Sequence, residues 1–137
     1  MNRSDFQRLA TVRLEEARTL LKHGKYAGCY YLSGYVIECA LKASIAKLTR
    51  RYDFPDRQFV QGVYTHDLAQ LVRLADLDGA LNEDIARNPI FQFNWNIVKR
   101  WREHSRYELP NKAQADQMFQ AAADRRHGVL RWVRQHW

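Results

Sequence analysis

No run of about 18 apolar residues occurs anywhere in the chain, so no segment reads as a membrane span. The first residues, MNRSDFQRLA, lack the apolar stretch of a signal peptide, and a cytoplasmic location is expected. Cysteine is scarce. Cys29 and Cys39 fall ten residues apart in one predicted helix. That is about 15 Å along the axis, too far for a disulfide. No Cys/His pair has ligand spacing, so both read as small buried residues, and neither a metal nor a cofactor is expected. Repeats, low-complexity segments and linkers are also missing, which leaves one domain over residues 1–137.

What is present is an ordinary globular composition, 46% hydrophobic and 27% charged, in a chain long enough to bury a core without staples. The formal net charge is +7, and it is unevenly placed. Residues 1–96 hold 13 Lys/Arg against 11 Asp/Glu, whereas residues 97–137 hold 9 against 4. A basic last third fits an anionic partner such as nucleic acid, or simply a solvated surface.

Apolar residues recur at helical spacing almost throughout. Ser4 and Gln7 have the spacing of a capping box, and Phe6, Ala10, Leu14, Ala17 and Leu21 form the stripe of a first helix. Gly24 ends it, and Tyr26 already opens the next stripe, so the first two helices should form an antiparallel hairpin. The second helix runs to about Thr49. Residues 52–62, with Pro55, read as a polar loop, and Thr65 as the cap of a helix carrying Leu68, Leu71 and Val72. Another short helix starts at Asp78 or Gly79. Pro89 interrupts the chain before the densest aromatic cluster, Phe91 to Trp101, where Phe91 and Phe93 could mimic strand alternation. Asn111 with Gln114 caps the last long helix, and Gly128 breaks or kinks it. The expectation is one all-α domain of five or six helices, with four of the longer ones packed as a bundle.

The second helix contains YYLSGYVIECALKASI, an apolar stretch that carries Glu38 and Lys42 in its middle. The wider phrase AGCYYLSGYVIECALKA resembles the HEPN domain, a family of nucleotide- and RNA-associated helical proteins. So do the ARTLLKHGKY lead-in, THDLAQL, NWNIVKRW and SRYE, in that order. The resemblance runs from Phe6 to Trp137. It implies a four-helix-bundle-like domain with one or two additional short helices. It also implies a homodimer, or a complex with a nucleotidyltransferase partner.

Many HEPN proteins are metal-independent ribonucleases with the signature Arg, four to six residues, His. In the mechanism proposed for them, His serves the ribose 2′-OH as base or protonates the leaving oxygen, while Arg stabilises the phosphorane. The residue types suit the task, because imidazole carries protons near neutral pH and guanidinium forks onto phosphate. Two places here come close. Arg131 to His136 has the literal spacing but lies at the C-terminal end. Lys99 to Tyr107 has the family's context, with a Tyr soon after the His. There, however, Lys99 stands where Arg belongs, and Arg100 is one residue too close to His104.

The resulting candidates are His104 and His136 as proton carriers, and Arg100, Arg102, Arg106 and Arg131 as phosphate binders. Tyr107, His66 and Glu38 would support them. Each has a plainer reading: cations at helix C-termini, a local hydrogen bond at a helix start for His66, and packing for the tyrosines at 30, 31 and 35. Lys42 pairs with Glu38 in the favourable order four residues apart. Glu38, on the inward face, needs donors. Tyrosine hydroxyls, His66 and Arg106 are the available ones, and Arg106 or a tyrosine is expected to fill the role and so to orient the basic edge. The functional expectation is a nucleotide- or RNA-binding module, without catalysis, working with a nucleotidyltransferase partner. The alternatives are a toxin-like metal-independent endoribonuclease and a helical dimer of purely structural role.

Overall fold

A computed structural model describes residues 1–49 and 57–137. Among these there is no strand; the chain is all-α. Helix α1 (Arg3–Lys22) opens with a capping box, but from Asn2 and Asp5 rather than Ser4 and Gln7. The Asn2 side chain accepts from Asp5 N at 3.0 Å, and Asp5 accepts from Asn2 N at 2.9 Å. Asn and Asp satisfy the same orphan donors as Ser and Gln, so the helix starts at the first competent pair. At the other end Gly24, at φ 69°, closes a Schellman turn. Lys25 N donates to Leu20 O at 2.8 Å and Gly24 N to Leu21 O at 3.2 Å. The chain turns back at once into α2 (Tyr26–Leu48), and the two helices pack as the expected hairpin.

From Val36 to Leu41 every residue of α2 is buried, and so are Ala43 to Ile45. A helix apolar on all sides belongs in the middle of a domain. Around α2 lie α1, α4 (Leu68–Leu74), α7 (Lys112–Ala123) and α8 (Val129–Arg134), and α6 (Pro89–Val98) packs against α7 and α8. Cys29 and Cys39 are free and buried in this core, as expected. Burial pushes the Cys39 thiol up to about 12, helped by the nearby Glu38 carboxylate.

The chain is cut more finely than its periodicity implies. Within the stretch read as a loop, Arg57–Val63 forms a helix, α3, because Phe59 and Val63, four apart, both pack on the core. Residues 52–56 of that stretch, including Pro55, lie outside the described residues. Thr65 does not cap α4. Asp67 does, accepting from Gln70 N at 3.1 Å, while Thr65 holds Asp67 in place by accepting from its N–H at 3.1 Å. Between α4 and α5 (Asp78–Arg87), Asp76 takes φ 57° in a second Schellman turn, with Leu77 N on Val72 O at 3.0 Å.

Asn88 ends α5 and begins α6, its side chain accepting from both Ile90 N and Phe91 N at 3.1 Å. Pro89 takes the first helical position, where its missing N–H costs nothing. Phe91 and Phe93 are therefore helical: Phe91 points into the core and Phe93 outwards. The Asn111–Gln114 box caps α7 as expected. Gly128 breaks the chain between α7 and α8, since a Cβ there would come within 2.4 Å of Asp124 O.

Candidate functional site at the basic edge

Helix α6 ends at Val98, and the next residues are held by two anchors. The first is Trp101, fully buried, whose indole lies on the backbone of α2 at Gly34. Its ring centroid is 5.7 Å from that of Tyr31, and its buried Nε1 has no hydrogen-bond partner among the described residues. The second is Ser105, also buried, whose Oγ accepts from Arg102 N at 3.3 Å. Between and after them the chain makes a 3-10 turn, Glu103–Tyr107, against α2. The anchors face inward, which leaves Lys99, Arg100, His104, Arg106 and Tyr107 exposed along one edge.

Beneath this edge sits Glu38, 2% exposed. It does not receive Arg106 or a tyrosine. Lys42 Nζ donates to its Oε1 at 2.8 Å, and His66 Nδ1 lies 3.0 Å from both carboxylate oxygens. On its far side, His66 Nε2 is 3.3 Å from Glu103 Oε2, and Glu103 Oε1 accepts from Arg106 Nη1 at 3.0 Å. The expected link between Glu38 and Arg106 thus exists at one remove, as Lys42, Glu38, His66, Glu103, Arg106. The neutral imidazole can donate to one of its two carboxylates; the imidazolium donates to both. The correction has a geometric cause. Arg106 lies on the exposed side of the turn, while His66, just before α4, stands between it and α2.

The candidate residues divide by what already holds them. Arg102 is committed to the fold: its Nη1 donates to Lys99 O at 2.7 Å and Trp101 O at 2.9 Å, and its Nη2 sits 3.5 Å from Asp67. Arg106 lies over the Tyr107 ring, 5.0 Å from its centroid, and Tyr107 is 77% exposed. His104 has a side chain 70% exposed, with Glu108 3.5 Å from its Nε2. Arg100 makes no side-chain hydrogen bond or ion pair among the described residues.

The second candidate pair comes apart. His136 packs its ring 5.0 Å from that of Trp132, and its Nε2 is enclosed without a partner among the described residues. Arg131 instead lines a cavity with Arg87, Arg126 and His127. No local signal in the sequence marked those three as neighbours of Arg131; they meet only because α5, α6 and α8 pack together. Among the described residues, no group of three or more His, Cys, Asp or Glu could hold a metal ion. Nor is any described helix long and apolar enough to cross a membrane.

The all-helical fold is consistent with a HEPN-type architecture. The sequence model of the HEPN domain matches residues 4–136, and the chain belongs to that family. No curated protein and no solved structure matches it. Family membership points to a nucleotide- or RNA-related function.

Proposed function

We propose that the chain is a nucleotide- or RNA-binding HEPN module whose contact surface is the edge from Lys99 to Tyr107. One observation carries this reading: the Arg106 guanidinium lies over the exposed Tyr107 ring. An exposed ring offers a stacking face for a base, and the adjacent cations meet the phosphates. Lys99, Arg100 and Arg106 supply the charge, while Arg102 holds the turn. The chain of contacts from Glu38 through His66 and Glu103 orients Arg106. In this reading the domain acts as a homodimer or beside a nucleotidyltransferase, without cleaving RNA.

A second reading, a toxin-like metal-independent endoribonuclease, is favoured by the exposure of His104. His104 would take the proton of a ribose 2′-OH. The 2′-oxygen would then attack phosphorus, and the 5′-oxygen would leave with a proton from solvent, giving a 2′,3′-cyclic phosphate while His104 returns its proton to water. Arg100 or Arg106 would carry the phosphorane charge. His136, its Nε2 enclosed, is the poorer proton carrier.

The test is incubation of the purified protein with structured and single-stranded RNA in EDTA, beside His104→Ala, His136→Ala and Tyr107→Ala. Salt-sensitive binding that falls with Tyr107→Ala, with no cleavage, supports the module. Cleavage that disappears with His104→Ala replaces it by the nuclease. Neither binding nor cleavage leaves a structural role alone.

A further inference from the structure

About 15 Å from the edge, at the other end of the ten-residue helix α6, lies a cavity of about 620 Å³. Three separate segments bring arginines into its wall. Arg87 is the last residue of α5, Arg126 lies between α7 and α8, and Arg131 is on α8. Among the described residues the only acid in the wall is Asp84, and its Oδ2 already accepts from Trp132 Nε1 at 2.7 Å. Neither Arg87 nor Arg126 has a side-chain partner among the described residues. Arg131 makes one long bond, 3.3 Å, to the Arg126 carbonyl. Three cationic side chains lining one concavity repel one another, and a bound anion of two or more charges lowers that cost.

The rest of the wall is not what a bare anion would need. Phe91 and Trp132, with ring centroids 5.6 Å apart, line it together with Pro89 and Ile90, the last 55% exposed. Asn88 and His127, 3.0 Å apart, add polar atoms beside them. The volume falls in the range of sites for small organic molecules. A flat apolar body on the Ile90 side, with an anionic group among the arginines, fits both halves of the wall.

We propose that this cavity binds a phosphomonoester of a small flat ring system, with the phosphate held by Arg87, Arg126 and Arg131. A nucleoside monophosphate meets that description, either free or as the 5′-phosphorylated end of an oligonucleotide. The site shares no residue with the Lys99–Tyr107 edge and does not depend on its function.

The full chain is titrated by calorimetry with AMP, adenosine, inorganic phosphate, and a tetraribonucleotide with and without a 5′-phosphate. Intrinsic tryptophan fluorescence, to which Trp132 contributes beside three other tryptophans, reports occupancy. The expected result is saturable AMP binding at least tenfold tighter than adenosine or phosphate alone. It should weaken at least tenfold in the exposed Arg87→Ala/Arg126→Ala double variant. Binding of only the 5′-phosphorylated tetranucleotide also supports the site and names an RNA end as its source. Equal binding of AMP and adenosine, phosphate binding as tightly as AMP, an unaffected double variant, or no binding by any phosphorylated probe overturns the proposal.

Discussion

Gly34 and Trp101 are in direct contact, so close that a Cβ on Gly34 would lie 2.2 Å from the indole Cγ. The central helix needs glycine there because the residue that carries the basic edge sits on its backbone. Gly34→Ala forces the indole, or the whole turn behind it, to move. Overpacking of this kind costs about 3 kcal/mol, or roughly 10 °C in Tm. Thermal unfolding reads the cost, and binding at the edge should fall even where the variant remains folded.

Glu38 is a buried carboxylate made tolerable by Lys42 and His66. Glu38→Gln leaves Lys42, itself largely buried, without its counter-charge, and should cost about 3 kcal/mol in chemical denaturation. His66→Ala should cost less, since that side chain is 38% exposed, yet it cuts the path to Glu103. Weakened RNA binding with near-normal stability is the expected signature of His66→Ala. Unchanged binding in both variants would remove the orienting role given to this chain of contacts.

Asp76 occupies a left-handed position that glycine fills at Gly24 in the same kind of turn. A non-glycine residue there pays about 1–2 kcal/mol, partly offset by its lower entropy when unfolded. Asp76→Gly should therefore stabilise the protein by about 0.5–1 kcal/mol, and a lower urea midpoint would contradict this.

Cys39 has an ordinary thiol value of 9.0 when unfolded and about 12 when buried beside Glu38. A raised folded value means that its contribution to stability is complete below pH 9 and is lost as pH rises towards 12. Denaturation curves should shift downward from about pH 9, less steeply in Cys39→Ala. In the native state at pH 8, thiol reagents should react with Cys39 at a rate set by unfolding.

Much of the fold was legible because it is written in local patterns. The Phe6–Leu21 stripe, Gly24, the Asn111–Gln114 box and Gly128 each act within a few residues, and each does what its chemistry requires. Cap register was less legible, since Asn2/Asp5 competes with Ser4/Gln7, and Asp67 with Thr65, for the same few donors. A seven-residue helix such as α3 holds too little periodicity to stand out from a polar stretch. At the site, the need of Glu38 for donors followed from its place in an apolar stripe, and Lys42 and His66 were among the candidates, but which of the candidates reach it depended on packing. His66 intervenes where Arg106 was expected, and Arg131 separates from His136 to join Arg87 and Arg126.

The tight turn at Gly24 has a kinetic side. Contacts between α1 and α2 join residues near in sequence, so the hairpin can form early and alone. The link from Glu38 to His66 closes 28 residues, and that from His66 to Glu103 closes 37 more, so the edge is expected to assemble after the hairpin. Its residues are also the cheapest to release, because the 3-10 turn can open without melting the hairpin. In hydrogen exchange, Ser105 and Glu108 amides should lose protection well before those of Val36 to Leu41. A nucleic acid meeting this edge would then meet the part of the molecule that can still adjust its shape, mounted on a part that cannot.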